Sequence, residues 1–541
     1  MNNDAIDLLG QQFNFAFMVE HPKSNIPKKV PKSTIQREQE TIDEAEYALH
    51  MKLLKGAADG NRDNQATTPI FTAPLRDQIA QYGLIGGQSH ILANGKGRED
   101  PRLFYNIAAP FSTFICGSQG SGKSHTLSCF LENCLVKSHV SKVKNPLSAL
   151  LFHYDGFIGD EIGNPCEAAY LASNPNINVR VLCSPTNYQA ITRTYSGMNV
   201  QVKPLSIDQT DLTTQRMFGL MAVNTKDEMP LYLHSINRVL RDLRMANQAT
   251  TQRPFHYGEF KQHIDALRLT PAQESPLTQR LDTLESFMPV DQRKAGSPRP
   301  KKRGSGTDWT IRVNIPTMRR YIECTANIPK AGELTIVDLS CPCVTTESAS
   351  SLFNLCLSLF LEEKSDIGKV VALDEAHKYM STSTEDALTN KLLHTIRLQR
   401  HLGTRVFIST QEPTINPALI DLCSMTIVHR FSSPEWLRVL RRHLAALDNS
   451  ESSSEEDDDF TKGAVFNEIV KLQVGEGLLF APEAIIDTGV DGYLVEKREM
   501  FESNHEENVQ QQALQKLGTR YIKMKVRNRL TDDGGRSVLA A

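Results

Sequence analysis

Residues 111–138 read FSTFICGSQGSGKSHTLSCFLENCLVKS. The apolar run FSTFIC predicts a buried strand, and Leu127, Phe130, Leu131, Cys134 and Leu135 recur with helical spacing. Between them GSQGSGKS, Gly117 to Ser124, fits G-x-x-x-x-G-K-[ST] in full. Strand, glycine-rich loop and helix in that order are the context that gives the pattern its meaning. Gly117, Gly120 and Gly122 let the backbone fold back so that successive N–H groups converge on one anion. The segment Gly117, Ser118, Gln119, Gly120, Ser121, Gly122, Lys123, Ser124 and His125 is therefore a candidate nucleotide-phosphate cradle. Lys123 would reach the β- and γ-phosphates as a mobile point charge, and the Ser124 hydroxyl would ligate Mg²⁺. The bland alternative is a Gly/Ser-rich surface turn, which the flanking strand and helix argue against.

Working outward, further apolar runs are separated by helix-length segments: 149–155, 179–183, 333–340, 369–375, 404–410 and 425–431. Near-continuous apolar runs of this kind suit a parallel sheet covered on both faces, so the fold class is α/β. In KVVALDEAHKYM, Val370 to Leu373 form a strand ending in Asp374 and Glu375. Asp374 is the candidate Mg²⁺ partner and Glu375 the candidate general base for an attacking water. Adjacent acids could instead open a helix, where the dipole favours them. A phosphotransferase has little use for a water-activating Glu here, which favours hydrolysis over a P-loop kinase. TRVFISTQEP supplies Gln411 at the end of another strand, placed to sense a γ-phosphate or, more plainly, to bond the strand terminus.

The 541 residues are 40% hydrophobic and 23% charged, the profile of a globular chain with ample core. The net charge of −3 sums opposed patches, basic at 27–32 and 298–303 and acidic at 451–459, so it excludes no polyanionic partner. Cys116, Cys129, Cys183, Cys356 and Cys423 sit singly in apolar runs, as reduced core thiols do, and Cys341 with Cys343 lack zinc-finger spacing. No stretch of 18 apolar residues and no signal-peptide pattern is found, so the expectation is a protein neither secreted nor membrane-spanning.

Residues 1–100 are expected to form an extension with little core of its own, partly disordered, with a helix from Thr34 to about Lys55. The core is expected over 101–490. Within it, about 208–289 reads as a helical insertion, 293–308 as a basic loop and 448–460 as a disordered acidic loop. Residues 491–541 read as a C-terminal helix and tail.

The order of these pieces resembles the HerA/FtsK-type P-loop ATPases: GSQGSGKS, LLFHYDGF, LTIVDLS, VVALDEAH, RHLGTRVFISTQEP and TIVHRFSS. LQVGEGLLFAPEAII at 472–486 resembles their closing segment. The resemblance implies a RecA-like core with a mainly parallel sheet and the cofactors ATP and Mg²⁺. It also implies ATP hydrolysis by a homo-oligomeric motor acting on DNA or a protein polymer. Arg400 matches a position that in the family is a candidate arginine finger, with Arg430 the runner-up. An ATP-dependent switch or scaffold with little turnover is the alternative. The basic runs leave cytoplasm and nucleus both open, and no membrane partner is expected.

Overall fold

Each of the seven apolar runs is a strand. The computed structural model describes residues 67–94, 100–156, 163–221, 231–249, 255–293, 330–380, 386–444, 447, 465–487 and 514–534. The basic runs, the expected helix at 34–55 and the acidic run lie outside them. In chain order the strands are β1 (Ile70–Thr72), β2 (Tyr82–Gln88), β3 (Arg102–Asn106), β4 (Ser112–Cys116), β5 (Ser141–Lys142), β6 (Ser148–His153), β7 (Asn178–Cys183) and β8 (Val200–Pro204). They continue with β9 (Glu333–Asp338), β10 (Lys369–Leu373), β11 (Thr404–Thr410), β12 (Met425–Val428), β13 (Glu476–Phe480), β14 (Ile485–Asp487), β15 (Leu514–Lys516) and β16 (Tyr521–Val526).

They form one 16-stranded sheet of order β15-β14-β1-β3-β2-β16-β13-β12-β4-β11-β10-β6-β9-β7-β8, with β5 against β2. The stretch from β12 to β8 is parallel throughout. From β13 through β16, β2 and β3 to β1 the neighbours are antiparallel.

The runs are apolar at every position because alternate residues enter different cores. Phe114, Phe152, Val371 and Ile408 pack on one face with the helices Thr346–Glu362 and Ala387–Arg397. Ile115, Leu151, Ala372 and Phe407 pack on the other with the helix Lys123–Leu135, where the Phe130 and Phe407 rings pack at a tilt, 5.1 Å between centroids. Residues 208–289 contribute the helices Thr214–Met221, Leu231–Ala249, Tyr257–Asp265 and Pro271–Ser286. Their Met217, Ile236, Leu240, Phe260 and Leu277 join the first core, so this segment roofs one face of the sheet.

Two expectations are corrected. Residues 67–94, read as part of a core-poor extension, supply β1 and β2, and Phe71, Tyr82 and Phe104 form an aromatic cluster with centroids 5.5–5.8 Å apart. Residues 514–534, read as helix and tail, supply β15 and β16. In YIKMKV the buried Ile522, Met524 and Val526 alternate with lysines, the period-2 pattern of a strand with one face on the core. β16 pairs with β13 on one side and β2 on the other, joining the amino-terminal strands to the parallel block. Among the described residues no helix is long and apolar enough to cross a membrane.

Candidate functional site

The loop Gly117–Gly122 leaves β4 and enters the helix Lys123–Leu135 through Gly122, whose φ of 106° only glycine adopts readily. The loop is pinned from both sides. Ser118 donates to the Arg430 carbonyl through its N–H (2.8 Å) and its hydroxyl (2.9 Å), and the Gly475 N–H donates to Ser121 O at 3.2 Å. Beneath it His429 is fully buried. Its Nδ1 donates to the Glu476 carbonyl at 2.7 Å, which leaves Nε2 to accept from the Thr126 hydroxyl at 2.9 Å. Burial lowers its pKa to about 4, so the ring stays neutral.

Lys123 is buried. Its Nζ donates to Ser118 O at 3.2 Å and lies 3.8 Å from Glu375 Oε1. Burial lowers its pKa, and the carboxylates of Glu375 and Asp374 offset part of that effect. Glu375 follows β10 at φ 48°, ψ 50°, the one positive-φ non-glycine residue among those described. A side chain in this region is strained by about 1–2 kcal/mol. Gln411, at the end of β11, donates from Nε2 to Glu375 Oε1 at 2.9 Å. His377 accepts the Gln411 N–H through Nδ1 at 3.4 Å, so it carries no proton there for Glu375 Oε2, 3.4 Å away. Glu375 Oε2 is thus buried and without a hydrogen bond. Asp374 is buried beside it. Burial raises its pKa, but the His153 ring and the Lys123 charge outweigh this and hold the carboxyl below its usual range.

The fold explains this convergence. β4, β10, β11 and β12 run parallel, so their carboxyl ends meet at one edge. β11 lies between β4 and β10, which sets Gln411 between the loop and the acidic pair. The core is a mainly parallel α/β sheet in which the glycine-rich loop joins the central strand β4 to the helix Lys123–Leu135. No protein-family model matches the sequence, and neither does any curated protein. Among solved structures the chain is similar to VirB4 of Thermoanaerobacter pseudethanolicus, at 12% identity over 83% of this chain and 97% of that one, with a TM-score of 0.42. It is also similar to the plasmid coupling protein TrwB, solved with a non-hydrolysable ATP analogue, at 11% identity over 84% and 95%, TM-score 0.41. A third is the genome packaging NTPase B204 from Sulfolobus turreted icosahedral virus 2 with ATP-gammaS, at 15% identity over 28% and 62%, TM-score 0.21.

Not every candidate joins the P-loop edge. Arg400 is exposed on the turn of helix Gln399–Leu402, which precedes β11. The length of β11 separates it from Gln411 by roughly 20 Å, at the opposite edge of the sheet. Arg430 follows β12 on the same edge as the loop.

His125, a candidate for the phosphate cradle, belongs with a carboxy-terminal strap whose residues the sequence did not single out. The His125 Nε2 donates to Arg527 O at 2.8 Å. Glu132, with no exposed side-chain surface, accepts from Arg527 Nη1 (2.7 Å), Leu530 N (3.0 Å), Thr531 N (3.0 Å) and Thr531 Oγ1 (2.6 Å). A carboxylate buried in this helix demands a cation from elsewhere in the chain, and the structure supplies it as Arg527.

Proposed function

We propose that the chain is a Mg²⁺-dependent ATPase of the HerA/FtsK type that works as a homo-oligomer on DNA or a protein polymer. The observation that carries hydrolysis is Glu375: its Oε1 is held by Gln411 beside Lys123 while Oε2 lacks a hydrogen bond. The loop residues Gly117 to Ser124 bind the phosphates, with Lys123 turning from Glu375 and Ser118 O toward them. The site fits Mg²⁺, since the buried Asp374 Oδ1 has no hydrogen bond and Ser124 lies in the first turn of the helix that follows the loop. Bound there by Ser124 and Asp374, Mg²⁺ supplies charge neutralisation for the phosphates. Glu375 Oε2 takes the proton of the attacking water, and Gln411 fixes the carboxylate's orientation and responds to the γ-phosphate. Arg400, far from its own P-loop, is the candidate to act on a neighbouring subunit's nucleotide, with Arg430 the second candidate. The basic runs at 27–32 and 298–303 support either a cytoplasmic or a nuclear location.

Phosphate release from ATP and nucleotide binding, followed in parallel, test the reading. Lys123→Ala is expected to lose binding. Glu375→Gln is expected to bind ATP and lose turnover by about 10²–10⁴-fold. Wild-type turnover in Glu375→Gln would remove Glu375 as the base.

A further inference from the structure

His153 at the end of β6, Cys166 in the following loop and Asp374 after β10 bring one nitrogen, one sulfur and one oxygen donor within 4.8 Å of one another, all buried. His153 Nδ1 lies 3.3 Å from Asp374 Oδ2, and Cys166 Sγ lies 3.8 Å from the same oxygen. A tetrahedral ion with bonds of about 2.0 Å to N and O and 2.3 Å to S separates its donors by roughly 3.3–3.6 Å, so the spacing is already close to that of a ligand set.

The polar groups here are also unsatisfied. His153 Nε2 and Asp374 Oδ1 are buried without a hydrogen bond, while His153 Nδ1 faces Asp374 Oδ2 at 3.3 Å. Leaving such groups unpaired costs about 1–3 kcal/mol each. The geometry points to a binding site for a d-block divalent cation of the Zn²⁺ class, held by His153, Cys166 and Asp374 with one position open. Neutral imidazole, thiolate and carboxylate around a dication sum to zero charge, as a buried site requires. The Cys166 S–H proton and the extra proton that the His153 ring carries beside Asp374 both leave to solvent as the sulfur–metal and nitrogen–metal bonds form. A hard, octahedral Mg²⁺ has no use for the thiolate, so the site differs in chemistry from the one that Ser124 and Asp374 form. The two share Asp374. On the ATPase reading, a Zn²⁺-class ion therefore withdraws that carboxylate from Mg²⁺ and blocks turnover.

Co²⁺ is the probe, added without nucleotide to the full chain after chelator treatment. The expected result is one equivalent bound with tetrahedral d–d bands and a near-ultraviolet sulfur-to-cobalt band, all bleached by Zn²⁺. Cys166→Ser should lose the near-ultraviolet band, and His153→Gln should keep it while weakening affinity about tenfold or more. No sulfur-to-cobalt band, or one unchanged in Cys166→Ser, overturns the site. Should a variant fail to fold, the X-ray absorption edge of Zn²⁺ on the wild-type chain decides. One sulfur with nitrogen and oxygen neighbours supports the assignment, and a shell without sulfur or with several sulfurs overturns it. None of these readouts involves ATP, so the metal site can fail while the ATPase reading stands, and the reverse.

Discussion

Gln411 Nε2 donates to Glu375 Oε1 at 2.9 Å across two adjacent parallel strands, and this bond joins the end of β11 to the end of β10. It holds one carboxylate oxygen and leaves the other without a hydrogen bond. Gln411→Ala frees the carboxylate to rotate toward Lys123, so turnover should fall by about 10²-fold, the usual cost of losing one oriented polar group in an active site. Nucleotide affinity, set by the loop, should change far less. Separate determination of kcat and of ATP binding by titration checks this, and weaker ATP binding with kcat unchanged would mean that Gln411 acts on binding alone.

At Gly122 a Cβ would meet Gly475 N at 3.0 Å and Gly475 Cα at 3.1 Å, both backbone atoms, at a φ of 106°. Gly122→Ala should therefore cost about 1–3 kcal/mol in stability and displace the loop from Gly475. At Gly120, φ is 70° and nothing lies within 4 Å of a Cβ. Gly120→Ala should cost only about 1–2 kcal/mol, the penalty of the backbone conformation. Urea melts of the two variants separate the steric from the conformational contribution.

The parallel block was legible because strands buried on both faces leave unbroken apolar runs, and a polar residue directly after such a run marks the carboxyl edge. That is how GSQGSGKS, Asp374, Glu375 and Gln411 could be named from sequence. β2 was hidden by its composition: YGLIGGQ looks like a turn, yet its glycines are there for close packing. A Cβ at Gly83 would sit 2.4 Å from the Asn133 side chain, and one at Gly86 would collide with the Lys525 carbonyl. The strap was hidden by distance, since Glu132 and Arg527 are 395 residues apart and nothing local in either signals the other. His429 was passed over for Arg430 beside it, because alternation alone does not say which polar residue of a buried run faces the loop.

His429 makes stability depend on pH. Its pKa falls from an unfolded value near 6.5 to about 4 because burial disfavours the imidazolium. The unfolded chain therefore binds a proton between these values that the folded chain does not. The contribution is fully present above about pH 6.5, falls by about 1.4 kcal/mol per pH unit below it, and has dropped by about 3 kcal/mol near pH 4. Urea melts at pH 7 and pH 5 should show a loss of about 2 kcal/mol from this group. His429→Gln, which keeps hydrogen-bonding capacity without a titrating ring, should flatten the dependence by that amount. An unchanged slope would mean that other groups set it.

Glu132 is the point where the P-loop helix holds the end of the chain. Its carboxylate takes the Arg527 guanidinium and the N–H groups of Leu530 and Thr531, and Arg527 in turn donates to Leu84 O at 2.8 Å. Glu132→Ala removes the counter-charge of a nearly buried guanidinium and orphans two backbone donors, so the loss should be about 3–5 kcal/mol. Glu132→Gln keeps an acceptor and should lose less. The strap also carries the Arg527 carbonyl that receives the His125 Nε2–H next to Ser124. Amide exchange at 527–531 should therefore speed up in Glu132→Gln, and ATP affinity should weaken with it. Faster exchange with unchanged ATP affinity would show that the strap stabilises the helix without touching the nucleotide site.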